Sequence, residues 1–190
     1  MLRIPLAGLV AGLALVAAGC GGGGGGTAGG TDPDEYAASV CGAIVSWQND
    51  LKASVSSMTS SLSGATTPAQ VKVKLVTFTK QAVALTHKMI AKVKAAGPPD
   101  VKNGDQLQKD VENGLAQAEA AFGQARDSAK QLPTNDPAAF QQEATKLGEV
   151  LTKQGEAIQT TFDNIDKKYK SKDLNDAFSN DASCKKLGAA

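Results

Sequence analysis

The stretch TPAQVKVKLVTFTKQAVALTHKMIAKVKAAGPP, residues 67–99, holds a helix start, body and stop in one run. Thr67 can accept from the backbone three residues on, Gln70 can reach back, and Pro68 suits the first helical position; together they form a capping box. Val71, Leu75, Phe78, Ala82, Leu85, Met89, Val93 and Ala96 then recur in steps of three and four, one continuous helical face. Residues 71–75 alternate apolar and basic, as a strand would, but the alternation ends there and lies inside the longer helical pattern. Gly97-Pro98-Pro99 stops the helix.

The same reading extends in both directions. Helix 1 opens at Asp32-Pro33-Asp34-Glu35, again a capping box with proline. Its stripe is Val40, Ile44, Trp47, Leu51, Val55, Met58 and Leu62, and Gly64 ends it. Helix 3 begins between Pro99 and Asn103, runs through Leu107, Val111, Leu115, Ala118, Phe122, Ala125, Ala129 and Leu132, and stops at Pro133. Helix 4 opens at Asp136-Pro137 and carries Phe140, Ala144, Leu147, Leu151, Ile158, Phe162 and Ile165, with Gln154 breaking the pattern. A short helix over residues 171–179 carries Leu174 and Phe178. Helices of about 28–34 residues would each be roughly 42–50 Å long. Loops this short force neighbours antiparallel, so the fold class is all-α, an up-down-up-down antiparallel four-helix bundle with a short C-terminal helix. An even number of long helices brings both chain ends to one end of the bundle, where Tyr36, Tyr169 and Phe178 should cluster.

The N-terminus gives an address. Arg3 precedes an apolar run of about 15 residues, short of the ~20 that a spanning helix needs, and small residues follow it; this is the pattern of a secretory signal peptide, residues 1–19. The ending Val16-Ala17-Ala18-Gly19-Cys20 resembles the lipobox of bacterial lipoproteins, with Ala17 where leucine is usual. That resemblance implies cleavage before Cys20, a diacylglyceryl group on its thiol, and attachment to the outer face of the cytoplasmic membrane. An ordinary secreted chain and an uncleaved anchor are the other readings of the leader. Residues 20–31 then read as the lipidated cysteine and a Gly-rich tether, which would span roughly 17–20 Å as a random coil. Residues 32–190 are the bundle domain. Together with stretches such as YAASVCGAIVSWQNDL and AAGPPDVKNG, these features look like small lipoproteins of alanine- and glycine-rich bacteria, actinobacteria above all. That resemblance implies location and brings no activity with it.

With Cys20 assigned to lipid, Cys41 and Cys184 remain, and an even pair in an exported chain reads as a disulfide. They lie at opposite ends of the folded region, which the four-helix topology brings together. A metal or redox pair is the alternative, but the sequence has no CxxC and no histidine near either cysteine.

The chain has 20 basic and 19 acidic residues; without the leader's Arg3 they balance. Arg126 is then the only arginine. Bidentate phosphate recognition favours arginine, so nucleic acid is not an expected partner. No GxSxG, HExxH, P-loop or dinucleotide pattern occurs, and a single histidine, His87, cannot supply the two Glu-x-x-His pairs of a di-iron bundle. His87 sits off the main stripe and reads as a solvated side chain rather than a haem ligand. No enzyme activity, metal or cofactor is expected. Gly148 and Gly155, one heptad apart, read as a close helix approach, as a groove or cavity between helices 3 and 4 that admits an apolar ligand, or as drift with no structural role.

Helix 2 has six lysines and no acidic residue, while the other long helices are net acidic. Val76, Val83 and Ile90 add a second apolar row. Lys72, Val76, Lys80, Val83, His87, Lys88, Ile90 and Lys94 therefore form a candidate surface for an acidic envelope protein or anionic lipid headgroups. The competing reading is a wide buried face, covered partly by the C-terminal segment, with the lysines paired to acidic neighbours. The expected function is a membrane-anchored, non-enzymatic interaction or structural module. The alternative is a carrier of an apolar small molecule in the bundle interior.

Overall fold

The computed structural model describes residues 29–188. The expected leader, Cys20 and most of the glycine run lie outside them. The helices are α1 Pro33–Leu62, α2 Pro68–Ala96, α3 Gly104–Gln131, α4 Pro137–Lys168, α5 Lys172–Asn180 and α6 Ala182–Gly188. Four long helices with short connections make the predicted all-α bundle. α5 is the predicted short helix, and α6, seven residues long, follows it.

The helix starts obey local chemistry. Asp32 accepts from the backbone N–H groups of Asp34 and Glu35, and Asp136 from those of Ala138 and Ala139. Thr67 and Gln70 complete their reciprocal capping box. α3 starts differently. Asn103 is left-handed (φ 63°), a region asparagine tolerates, and its side chain makes no cap. The turn is tight enough that a Cβ on Gly104 would lie 1.9 Å from the Pro99 carbonyl oxygen, so only glycine fits there.

Helices adjacent in sequence pack together: α1 on α2, α2 on α3, α3 on α4. The main core joins Tyr36, Val40, Trp47, Met89, Ile90, Val93, Leu107, Val111 and Leu115. A second cluster at the far end joins Val71, Leu132 and Phe140. The fourth seam is different. α1 packs against α5 and α6, and scarcely touches α4. The C-terminal hairpin occupies the face of α1 that a returning fourth helix would cover in a closed bundle. α4 accordingly buries only Phe140 and Leu147, and Leu151, Ile158, Phe162 and Ile165 stay half-exposed.

The mid-helix glycines follow from that open seam. A Cβ on Gly148 or Gly155 would meet nothing, so no helix approaches them closely. Only Gly114 of α3 is a close approach: its Cβ would lie 3.3 Å from the Phe162 ring. The chain enters the bundle firmly. Thr31 donates its N–H to Pro98 O and accepts from Asp100 N–H, both at 2.7 Å, and a Cβ on Gly30 would strike the Asp100 backbone. Gly30 and Thr31, read as tether, thus belong to the folded body and enter it at the α2–α3 turn.

Candidate functional site

The open seam leaves a cavity of about 520 Å³ at the end where the chain enters. α1 contributes Tyr36, Val40, Cys41 and Ile44; α3 contributes Leu107, Val111 and Leu115. α4 adds Phe162, Ile165 and Tyr169, and the C-terminal hairpin adds Leu174, Phe178, Cys184 and Leu187. The volume lies in the range of roughly 300–1,000 Å³ typical of small-molecule sites. The deep wall is buried, while Asp163, Asp166, Ser179 and Lys185 line the cavity from exposed positions. The mouth therefore opens between α4 and the hairpin.

Polar groups of the deep wall are bonded within the protein. The Tyr36 hydroxyl donates to Gln108 Oε1 at 3.0 Å. Gln108 Nε2 donates to Val93 O at 3.2 Å and to Glu112 Oε1 at 2.9 Å. Gly97 N–H bonds Lys94 O, so Val93 O lacks its usual partner four residues on, and Gln108 supplies one. Burial, with Glu112 nearby, pushes the Tyr36 phenol up to about 12, so it stays a neutral donor. The Tyr36 and Phe178 rings meet edge to face with centroids 6.2 Å apart. Apart from the half-buried Asn175 of α5, what the wall presents to a guest is hydrocarbon, aromatic ring and sulfur.

Asp110 clasps the lower end of α4 to α3. It accepts from Lys168 Nζ at 2.8 Å and from the Tyr169 hydroxyl at 2.7 Å. The Lys168 bond, then the Tyr169 bond, hold its carboxyl down to about 2. A folded-state value below the unfolded 3.8 contributes stability that is present above about pH 4 and is lost as the pH falls towards 2. Asp127, held to about 2 by Arg126 and Lys130 on the surface, titrates in the same window. The check is therefore comparative. Asp110→Asn should be less stable than the parent at pH 7, and the difference should shrink between pH 4 and pH 2, read from urea midpoints.

Cys41 and Cys184 form the expected disulfide, with Cα atoms 5.0 Å apart. It pins α6 to α1 and forms part of the cavity wall. Asp181 lies close to both sulfurs. Its carboxylate caps α6, accepting from Ser183 N–H at 2.8 Å and Cys184 N–H at 2.9 Å. The sulfurs, bonded to each other, offer no thiolate to a metal in this oxidised form.

The candidate surface on α2 turns largely towards α3 instead of the C-terminal segment. Ile90 is buried in the main core, and Val76 packs on the Ala125, Ala129 and Leu147 cluster. Val83 is half-buried. Lys72 Nζ donates to Leu132 O at 2.8 Å, closing the end of α3. Lys94 pairs with Glu112 at 3.7 Å, and His87, 74% exposed, lies 3.0 Å from Glu119. Apolar packing of Ile90 and Val76 turns the second row towards α3, and these polar pairs line its rim. Lys80 and Lys88 are exposed. Cys20 lies outside the described residues.

Three core polar residues escape sequence reading: Thr79, whose hydroxyl donates to Leu75 O at 2.9 Å, Thr86 and Gln108. Thr86 is fully buried, accepting from Trp47 Nε1 at 3.1 Å and donating to Ala82 O at 2.8 Å. Gln108 is 5% exposed and joins three helices. Each sits one residue beyond an apolar stripe position, the only signal that they face inward. Comparison with protein-family models, with curated proteins and with solved structures gives no match.

Proposed function

We propose that this chain is an envelope lipoprotein, anchored through Cys20, whose body is a non-enzymatic binding module that holds an apolar molecule between α1, α3 and α4. The observation that carries this reading is the 520 Å³ cavity, walled by hydrocarbon and left open by the α1–α4 seam. Its position supports the reading further. Thr31 enters at the α2–α3 turn, the same end as Tyr36 and Leu107, so a short anchored tether would hold the cavity near the bilayer from which an apolar guest would come.

The test uses the mature chain, residues 20–190, with Cys20→Ser to remove the lipid acceptor. A neutral fluorescent probe, N-phenyl-1-naphthylamine, should bind one per chain. Ile44→Trp, at a half-exposed position of the wall, should abolish that binding while leaving the thermal midpoint unchanged or higher. Equal probe binding by both proteins would sink the reading.

A second reading rests on α2, where Val73, 61% exposed, lies among lysines. An acidic envelope protein or anionic lipid surface would suit it. Charge reversal at Lys80 and Lys88 should then abolish binding to anionic vesicles or to an acidic partner with no change in thermal stability. If vesicle binding survives the reversal, the lysines serve solubility and pairing alone.

A further inference from the structure

We infer that the guest is a single-chain amphiphile whose headgroup donates hydrogen bonds and carries no net negative charge. This rests on the cavity being a binding site, and it specifies what that site selects. Three observations carry it.

The first is volume. If a methylene takes up about the volume share of one water in the liquid, roughly 30 Å³, then 520 Å³ is on the order of one long alkyl chain. Two chains of that length do not fit. The second is the wall. The Tyr36 hydroxyl is committed to Gln108, and the Tyr169 hydroxyl to Asp110. A guest with a polar group along its length would bury that group unpaired against hydrocarbon, whereas a plain chain loses nothing. The third is the mouth. Asp163 and Asp166 lie one helical turn apart on α4, exposed, with no ion pair to either among the described residues. Across from them, Lys185 gives one hydrogen to Asn180 O at 2.9 Å and keeps its positive charge, and Ser179 offers a hydroxyl, so these lining groups carry two negative charges to one positive. Ionised carboxylates only accept, so a hydroxyl or ammonium head is matched there and a carboxylate or phosphate head is repelled.

The experiment is competition against N-phenyl-1-naphthylamine on the mature Cys20→Ser chain, stripped of co-purified lipid by organic extraction. The competitors share a 16-carbon chain and differ in head: a monoacylglycerol, a primary alkylamine and a fatty acid, with a diacyl phosphatidylglycerol as the two-chain comparison. At pH 7.5 the monoacylglycerol and the amine should compete at least about five-fold more tightly than the fatty acid, the scale of an exposed charge pair. Asp163→Asn with Asp166→Asn should erase the penalty on the fatty acid, narrowing its gap from the monoacylglycerol to within about two-fold. Fatty acid binding as tightly as the monoacylglycerol, or phosphatidylglycerol binding best, would overturn this inference and leave the cavity reading standing. Failure of the probe and of every competitor to bind a chain with unchanged helicity and thermal midpoint would overturn both.

Discussion

Replacing both Cys41 and Cys184 by alanine is expected to cost about 2–5 kcal/mol of stability, measured by urea unfolding at pH 7. The disulfide joins residues 143 apart, so it removes much of the unfolded chain's freedom; the chain-entropy model alone gives roughly 5 kcal/mol for a loop that long. The second consequence is local. α5 and α6 bury Leu174, Ala177 and Leu187, but both are short, and the disulfide is their one covalent tie to α1. Without it the hairpin should fray, exposing the connection at residues 169–171 to protease while α1 to α3 stay protected. Because the hairpin walls the cavity, affinity for an apolar probe should fall in parallel. A stability change below about 1 kcal/mol with an intact protease pattern would mean that apolar packing alone holds the hairpin.

The other large effect is expected at the opposite end. Phe140 is 1% exposed and packs with Val71 and Leu132, with Leu62, Ala65, Leu75 and Ala144 around it. Removing so buried a ring, Phe140→Ala, should cost about 3–5 kcal/mol through lost burial and the void left behind. It should also act selectively. α4 buries just two residues, Phe140 and Leu147, which also reach α2, and along the rest of its length α3 is the long helix it packs on. Hydrogen exchange should therefore show α4 losing protection before the other long helices. Phe162 and Ile165 are cavity wall, so guest binding should weaken although the substitution lies far along the helix from it. Uniform loss of protection across the four long helices would instead show that α4 unfolds only with the whole bundle.

The fold was legible where local chemistry is strong. Three helices start at a polar cap followed by proline, at Pro33, Pro68 and Pro137, and the stops of α1, α2 and α3 carry Gly or Pro, whereas that of α4 carries neither. The disulfide followed from cysteine parity and an even helix count. The open seam was not legible. Leu151, Ile158, Phe162 and Ile165 are spaced like any core stripe, and spacing says that a face is apolar, not what covers it. The Gln154 break and the glycines at 148 and 155 were the only local signs that this face lacks a closely packed neighbour. The row Val76, Val83 and Ile90 had the same ambiguity. Its partner is α3, against which Ile90 and Val76 are packed, with Lys94 and His87 meeting Glu112 and Glu119 at the rim. Gln108 shows the converse limit: a buried amide reads as a surface residue until its partners on other helices are placed.

Native mass spectrometry of the mature Cys20→Ser chain, secreted into an envelope compartment and purified without detergent, tests the binding claim most directly. The account predicts a one-to-one complex with a single-chain amphiphile, absent from Ile44→Trp prepared in parallel. A guest-free mass for the unmodified chain, both as purified and after incubation with a 16-carbon monoacylglycerol, would contradict it.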